Sequence, residues 1–340
     1  MEKVFMSVSR EEIMSDSKYI IRRLEDSDYV AWDDLVDCSP QGLIFHKLDW
    51  IITSATLFNT NIELVGIFDE KGDIVAGVPL FTNKKYGMPY IISNLPLSPT
   101  SGFLLSAHAS KNIKENEQTD KLCLALFSQY IKNKRTVLSI VNNYPEMIDL
   151  RPLIQNGWKS KLGYTYYLTL DVELWNDISR KTRNTIRKGE KENIEVKIEY
   201  NPEEYWKLTE ATYQKQNMKI PFTREYITSL MDMAIKHNFG EMWVAKMPNG
   251  DIASAEFILW DNKMVHRWSA ASNTGYKNTG ATSLLLYNIF IEMKKRGHKK
   301  INLMAANTPH LTKFVSGFNP TLTPYYTCIY SPFFKNIKII

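Results

Sequence analysis

One loop of the sequence has the residue types that phosphate binding requires. The loop is NTGYKNTG, in which Tyr276, Lys277, Asn278 and Gly280 precede a predicted helix. The free backbone N–H groups at a helix N-terminus, together with the helix dipole, attract an anionic group. The loop therefore predicts a phosphate-binding site, although a turn residue at the start of a helix would also explain Gly280.

Two residues near this loop in the sequence could move a proton. Glu256 lies inside the apolar run IASAEFILW, where burial would raise its pKa toward the range of a useful general base. His266 lies on the predicted strand MVHRWSAAS, which leads into the loop, and could deliver or accept a proton. Each has a structural alternative, because buried carboxylates are often paired and strand histidines are often hydrogen-bonded.

A cationic segment, DVELWNDISRKTRNTIRKGEKEN, precedes the second half of the chain. At about 100° per residue, a helix over residues 171–192 would place its apolar and cationic side chains on opposite sides. The apolar side has Trp175, Ile178, Thr182 and Ile186, and the cationic side has Arg180, Arg183, Arg187 and Lys191. Few acidic residues lie one turn away from these cations. We predict that Arg183 and Arg187 bind phosphate, with a solvated charged surface as the alternative.

The elements that position these residues follow one another directly. The strand MVHRWSAAS leads through the loop into a helix with Ala281, Leu285, Ile289 and Met293 along one side. Basic residues and Gly297 end this helix, and the strand INLMAA follows. A strand, an anion-binding loop, a helix and a second strand are typical of folds that hold a phosphorylated cofactor.

The two halves of the sequence show the same order of predicted elements, β-α-α-β-β-β-α-β-α-β. The hairpin IELVGIF, DEKG and DIVAGVPLF in the first half corresponds to EMWVAKM, PNG and DIASAEFILW in the second. We predict an α/β protein with mixed sheets, made of two tandem units by internal duplication. The predicted domains are residues 1–170 and 171–340, the second beginning with the cationic helix. Two unrelated α/β domains are the alternative.

Composition restricts the class of protein. The net charge of +5 favours anionic ligands in general, and three scattered cysteines do not form a disulfide framework. The six histidines show no metal-ligand spacing, so we expect no metal.

We expect a cytoplasmic protein, since there is no long apolar run and no signal peptide. The tail SPFFKNIKII could make a weak peripheral membrane contact, although a packed last strand is the commoner case.

The segment WNDISRKTRNTIRKGEK resembles the W-x-x-(I/L)-S-x-K-x-R-x-x-I-R-x-x-x-K segment of the Fem-like branch of the GNAT acyltransferase superfamily. HRWSAASNTGY and TKFVSGF are similar to later motifs of that group. The resemblance implies two tandem GNAT-like domains and transfer of an acyl group from acyl-CoA to an amine of a sugar or cell-envelope precursor. It also implies an alternative, in which an aminoacyl-tRNA is the donor and a peptidoglycan precursor, lipid-linked or nucleotide-linked, is the acceptor.

The sequence departs from this group at functionally important positions. Val315 stands where the group carries a lysine, and Lys313 is the nearby candidate for that catalytic role. Asn319 replaces a glycine, and Thr282 replaces the last small residue of the pyrophosphate loop. These departures leave a third hypothesis, a non-catalytic binding protein with a degenerate GNAT fold.

Overall fold

A computed structural model of the protein describes residues 14–16, 18–108, 110–170, 173–215, 217–304 and 306–333. The predicted membrane contact of the tail lies mostly outside these residues, because 334–340 are not among them. By its internal contacts the chain divides into unit 1, residues 1–162 and 326–340, and unit 2, residues 163–325. Within the described residues, no helix is both long enough and apolar enough to cross a membrane.

The first half of the chain contains the following helices and strands: β1 Met14–Asp16, β2 Tyr19–Arg23, α1 Tyr29–Cys38, α2 Leu48–Leu57, β3 Asn61–Phe68, β4 Ile74–Lys85, β5 Met88–Ile92, β6 Leu104–Leu105, α3 Ile113–Asn133, β7 Leu138–Asn142, α4 Arg151–Gln155 and β8 Lys159–Thr169.

The second half of the chain contains α5 Leu174–Asp177, α6 Arg180–Lys191, β9 Glu195–Ile198, α7 Pro202–Lys215, α8 Arg224–Lys236, β10 Gly240–Lys246, β11 Ile252–Trp260, β12 Val265–Ser272, α9 Ala281–Lys295, β13 Lys300–Asn302, α10 Pro309–Val315 and β14 Thr321–Tyr330. From β2 to β8 and again from β9 to β14, the order is the predicted β-α-α-β-β-β-α-β-α-β, apart from the short β6.

The sheet of unit 1 has the order β1-β2-β3-β4-β5-β7, and residues 327–330 of β14 pair with β7. The β5–β7 pair is parallel and the other pairs are antiparallel. The long helix α3 covers this sheet, and the Phe127 ring on α3 stacks on Phe103 with centroids 5.3 Å apart. Such a strand order needs a crossover between β5 and β7, which α3 supplies.

The sheet of unit 2 has the order β8-β13-β12-β11-β10-β9. The β12–β13 pair is parallel, with α9 as the connection between the two strands. Residues 252–259 of β11 are all buried, as expected for a central strand covered on both faces. The apolar side of α9 is also buried, including Leu285, Ile289 and Met293, as its 3.6-residue period predicts. The predicted α/β class with mixed sheets is confirmed.

The cationic segment is divided into two helices, α5 and α6, and the single helix predicted over residues 171–192 is wrong. The backbone is extended at Ile178 and Ser179, and the Ser179 hydroxyl accepts a hydrogen bond from the Thr182 N–H at 3.2 Å. A serine in this position is a strong N-cap, so it starts a new helix at Arg180. Residues 171 and 172 lie outside the described part of the chain.

Candidate functional site

Strand β12 contains a bulge beside the loop that the sequence singled out. In the β11–β12 pair, Phe257 lies opposite Ser269 and Ile258 lies opposite Arg267, so Trp268 is an extra residue on β12. The Trp268 ring packs edge-on against Phe257, with centroids 5.5 Å apart. A bulge of this kind bends its strand and increases the local twist, and bulges are frequent next to active sites.

Beyond the bulge, β12 and β13 separate. The two strands pair only at Val265 with Ile301 and at His266 with Asn302, so residues 267–272 have no β13 partner in the described sheet. The Asn302 side-chain oxygen accepts from the Met304 N–H at 3.0 Å, and Met304 has a positive φ of 55°. Since β13 turns away here, the described sheet has a gap in its pairing on this side of β12, and we call this gap the β12–β13 opening. An acyl group lying in that opening could hydrogen-bond to the β12 backbone.

The loop between β12 and α9 is held by its own hydrogen bonds. The Tyr276 hydroxyl donates to the Asp251 carboxylate at 2.5 Å, and the Thr279 hydroxyl donates to the Tyr276 carbonyl at 2.7 Å. Lys277 and Asn278 at the tip of the loop are exposed. The structure therefore fixes the base of the loop and leaves the side chains of its tip accessible to a ligand.

Helix α6 packs closely against the start of α9 at two glycines. Gly280 has a φ of 91°, and a Cβ added to it would lie 2.3 Å from the Thr185 carbonyl oxygen. A Cβ added to Gly189 of α6 would lie 3.1 Å from the Leu284 Cβ. This close packing is a sufficient reason for glycine at position 280. It also places the C-terminal half of α6 beside the N-terminus of α9.

The outward surface of α6 is cationic and open. Its exposed basic residues are Arg180, Lys181, Arg187, Lys188 and Lys191. Among the described residues, none of these side chains forms an ion pair with a carboxylate. A shallow groove of about 610 Å³ follows this surface, lined by Arg180, Lys181, Asn184, Thr185 and Lys188. The lining residues all belong to α6, and the Thr185 carbonyl of the same helix lies against Gly280, just before α9.

The two arginines predicted to bind phosphate have different environments. The Arg183 guanidinium donates to the carbonyls of Trp175, Asn176 and Ile178, at 3.1, 3.1 and 2.7 Å. It therefore satisfies the C-terminal carbonyls of α5. The exposed Arg187 guanidinium lies 5.2 Å from the centroid of the Trp175 ring, a cation–π contact that leaves hydrogen-bond donors available.

Glu256 forms a buried ion pair. Its two carboxylate oxygens accept from Arg267 Nε at 2.8 Å and from Arg267 Nη2 at 2.6 Å, and the Glu256 side chain is 0% exposed. Burial raises the pKa of Glu256, while the Arg267 guanidinium opposes that shift. The Arg267 guanidinium also lies 6.0 Å from the centroid of the Phe314 ring on α10. This geometry is that of a structural pair next to the bulge.

The two other predicted catalytic residues are not part of that ion pair. His266 is fully buried, and its Nε2 lies 2.9 Å from an Asp261 carboxylate oxygen. Lys313 is exposed on α10, in the last turn before the buried Val315. Asn319 has a φ of 61°, a conformation that asparagine tolerates better than most residues, so it can replace the usual glycine there.

Sequence reasoning missed three features of this site. The bulge at Trp268 and the hydrogen bond of 2.6 Å between the Tyr205 and Ser269 hydroxyls depend on strand register, which the residue pattern does not show. Arg267 could have been found, because it is a charge within one apolar strand and Glu256 is a charge within the next.

Among the described residues, no group of three or more His, Cys, Asp or Glu side chains could hold a metal ion.

Residues 178–310 match the family of the acetyltransferase (GNAT) domain. This range includes α6, the bulged strand β12, the loop and α9, so most of the candidate site lies within the residues that match this family. No curated protein matched the chain in sequence.

The fold of the whole chain is that of tandem GNAT proteins. It is similar to FemX, at 12% identity and a TM-score of 0.68 over 90% of this chain and 96% of that one. It is also similar to a tandem GNAT protein from the clavulanic acid biosynthesis pathway, at 12% identity and a TM-score of 0.55 over 92% of this chain and 98% of that one. A third similar structure is L-PGS from Bacillus licheniformis, at 14% identity and a TM-score of 0.55 over 93% of each chain. The predicted tandem GNAT architecture is confirmed, and the domain match together with this fold supports an acyltransferase.

Proposed function

We propose that the protein is an N-acyltransferase that moves an acyl group from acyl-CoA to an amine of a sugar or cell-envelope precursor. The observation that carries this proposal is the cationic groove of α6, a helix that packs against the start of α9 at Gly189 and Gly280. The Ala281 N–H of the first turn of α9 donates to the Thr279 hydroxyl at 3.3 Å, whereas the next N–H groups, of Thr282 and Ser283, have no acceptor within their own helix and favour an anion. Lys188 of α6 and Lys277 of the loop are exposed beside this point and supply positive charge.

The donor phosphates would occupy the start of α9, with Lys277 and Asn278 on the loop side and Lys188 and Arg187 on the α6 side. Charge-assisted hydrogen bonds to phosphate are about twice as strong as neutral ones. Arg183 has a different part in this proposal. Because it holds the C-terminus of α5, it positions the start of α6 and does not need to touch the donor.

The thioester carbonyl would lie in the opening between β12 and β13. Backbone N–H groups of β12 that face this opening can polarise the carbonyl oxygen. The acceptor nitrogen attacks the carbonyl carbon, the new C–N bond forms, and the C–S bond breaks. The CoA thiolate leaves and takes the proton that the amine loses, so the step needs no further reactant.

Three side chains remain candidates for moving that proton or for holding the strand. Both Glu256 oxygens are occupied by the Arg267 guanidinium and the side chain is buried, so we assign Glu256 to holding the bulge of β12. His266 lies on β12 and contacts Asp261, so we assign it to holding the same strand in place. Lys313 is the exposed group among the three, and we propose that it faces the acceptor or the leaving group.

An aminoacyl-tRNA donor is the second candidate, and the length of the cationic surface favours it. Arg180 to Lys191 span 12 residues, or roughly 18 Å of helix at 1.5 Å per residue, which is more than one pyrophosphate needs. In that case the transferred group would be an amino acid, and the acceptor would be a peptidoglycan-type precursor. The similarity to L-PGS and FemX is compatible with such an acceptor.

The test is binding of acetyl-CoA and of a charged tRNA to the protein, together with release of free thiol in the presence of simple amines. We expect acetyl-CoA to raise the melting temperature, since a ligand that binds only the folded state stabilises it. The double variant Lys188→Ala/Lys277→Ala should lose at least about tenfold in affinity, or about 1.4 kcal/mol. The matched control is Lys236→Ala, an exposed lysine at the end of α8.

Stabilisation by charged tRNA without any response to acetyl-CoA would replace the first function with the second. No binding of either donor would favour the third hypothesis, a non-catalytic protein with a GNAT fold. An equal loss of affinity in the Lys236→Ala control would contradict the position proposed for the donor.

A further inference from the structure

The turn between β4 and β5 in unit 1 presents apolar side chains to solvent. Tyr86 is 89% exposed and Met88 is 49% exposed, although both are large hydrophobic residues. Lys85 pairs with Met88 in the sheet, so Tyr86 and Gly87 form a two-residue turn between the strands. Exposed apolar side chains grouped at one projecting turn are a common feature of interaction surfaces.

Tyr86 occupies a backbone conformation that does not favour tyrosine. Its φ is 52° and that of Gly87 is 78°, the combination found in a type I′ turn. Asparagine, aspartate or glycine usually takes the first of these positions, because a bulky side chain is strained at positive φ. The Tyr86 ring is exposed and lies under the neighbouring Lys85 Nζ, 5.8 Å from the ring centroid, so packing in the core does not account for this choice.

Two other segments of unit 1 lie at the same end of the sheet. The Val137 N–H donates to the Pro89 carbonyl at 3.0 Å, which places the turn before β7 beside the turn between β4 and β5. The Ser331 hydroxyl donates to the Val137 carbonyl at 2.7 Å, so the end of β14 follows next. Phe333, two residues further, is 69% exposed. We call this group, Lys84–Met88 with Arg135 and Phe333, the hairpin-tip surface.

The charges of the hairpin-tip surface are all positive. Lys84, Lys85 and Arg135 are exposed, and among the described residues none of them forms an ion pair with a carboxylate. Glu63 is an acidic residue on the neighbouring strand β3, and its carboxylate is paired with Lys134 at 2.9 Å. The surface therefore combines exposed aromatic and apolar side chains with uncompensated cations.

We propose that the hairpin-tip surface docks on an anionic lipid bilayer. Tyrosine is enriched at the boundary between lipid and water, where its ring is buried and its hydroxyl remains hydrated. Lysine and arginine beside it are attracted by anionic headgroups, and their long side chains can keep the charge in the headgroup region. This inference goes beyond the proposed acyl transfer and does not depend on it.

A bilayer fits this surface better than a protein partner does. The apolar residues are on a projecting two-residue turn and on the segment that follows β14. A stable protein interface needs a larger area, of roughly 800 Å² on each partner. A few inserted side chains together with several cations are sufficient for reversible binding to a membrane surface.

The experiment is co-sedimentation of the full chain with two kinds of vesicle. One is pure phosphatidylcholine, and in the other one lipid in four is phosphatidylglycerol. We expect binding to the anionic vesicles that weakens as salt is added, and little binding to the neutral ones. The variants Tyr86→Asn and Lys84→Glu/Lys85→Glu should each lower the partition coefficient at least tenfold.

Tyr86→Asn separates docking from a structural role. Asparagine suits the positive φ of this turn, so the variant should melt at the same temperature as the wild type or higher while losing vesicle binding. If Tyr86 were a structural residue, the same variant would lower the melting temperature.

Two controls use exposed residues elsewhere in unit 1. Lys71→Glu makes the same kind of charge change at the turn before β4, at the other end of that strand, and Ile113→Ser removes an 80% exposed apolar side chain at the start of α3. Both should bind vesicles as the wild type does. The proposal is overturned if the wild type does not bind anionic vesicles, or if hairpin-tip and control variants lose binding equally. Acyl-CoA binding is measured separately, so the failure of one proposal leaves the other standing.

Discussion

At the scale of single residues, the structure gives a physical reason for the size, burial and pairing of the side chains at the candidate site. Gly280 is glycine because its backbone is left-handed and because the Thr185 carbonyl lies against it. Glu256 is buried and paired with Arg267, whereas Lys188 is exposed without a carboxylate partner among the described residues. These differences decide which residues hold the fold and which can bind a ligand.

Gly280→Ala should destabilise the protein much more than Gly250→Ala. Both glycines have a φ near 90°, so both variants pay about 1–2 kcal/mol for a left-handed alanine. A Cβ at position 250 meets nothing within 4 Å, whereas at position 280 it meets the α6 backbone and adds about 1–3 kcal/mol. Thermal unfolding of the two variants measures the difference. Equal losses would show that α6 does not pack on α9 in this way.

Glu256→Gln should reduce stability, because it leaves the Arg267 charge buried without its carboxylate. Removing one partner of a buried ion pair typically costs about 3–5 kcal/mol. Replacing both partners with apolar residues, as in Glu256→Leu/Arg267→Met, should recover part of that loss. Urea unfolding measures both variants. If Glu256→Gln is as stable as the wild type but has lost turnover, Glu256 is the general base and its structural assignment is wrong.

At the scale of elements, the position of the site follows from where strands and helices end. The bulge at Trp268 and the short β13 open the sheet on the side of β12. The break between α5 and α6 at Ser179 lets α6 lie on the start of α9. These features have local causes: the Ser179 cap starts α6, the extra residue Trp268 bends β12, and Gly280 lets α6 approach α9.

Arg183→Met should lower the melting temperature more than Arg187→Met. The Arg183 guanidinium donates to three carbonyls at the end of α5, and its loss leaves them without that donor, a cost of about 1–3 kcal/mol. Arg187 is exposed and stacks on Trp175, a contact of about 0.5–1 kcal/mol. Conversely, Arg187→Met should weaken acetyl-CoA binding at a temperature where both variants are folded. If Arg187→Met lowers the melting temperature more and Arg183→Met weakens acetyl-CoA binding more, the structural and donor-binding roles of the two arginines are exchanged.

The sequence predicted the elements better than it predicted their ends. The apolar period of α9, Gly297 after it and the repeated hairpins were sufficient for the order of elements and for the tandem fold. The break at Ser179 was missed because the side chains around it keep a helical spacing across it. The bulge was missed because register depends on the partner strand. Both missed features are at the candidate site, where local rules give way to the geometry of the site.

At the scale of the whole molecule, two units of the same fold have different surfaces. Unit 2 has the cationic groove at α6 and the loop before α9, whereas the corresponding part of the first half, SPTSGFLLSAHASK, has no such loop. Unit 1 has the hairpin-tip surface instead. We therefore assign donor binding to unit 2 and membrane docking to unit 1, and each assignment can be tested in the full chain.

We propose that the acyl donor binds where α6 meets the start of α9. Hydrogen–deuterium exchange of the full chain, with and without saturating acetyl-CoA, tests it most directly because it locates the protected backbone amides. We expect protection in residues 273–285 and 180–191, with no protection at the turn between β4 and β5. Protection confined to unit 1, or none in residues 273–285 while acetyl-CoA is bound, would contradict the proposed donor site.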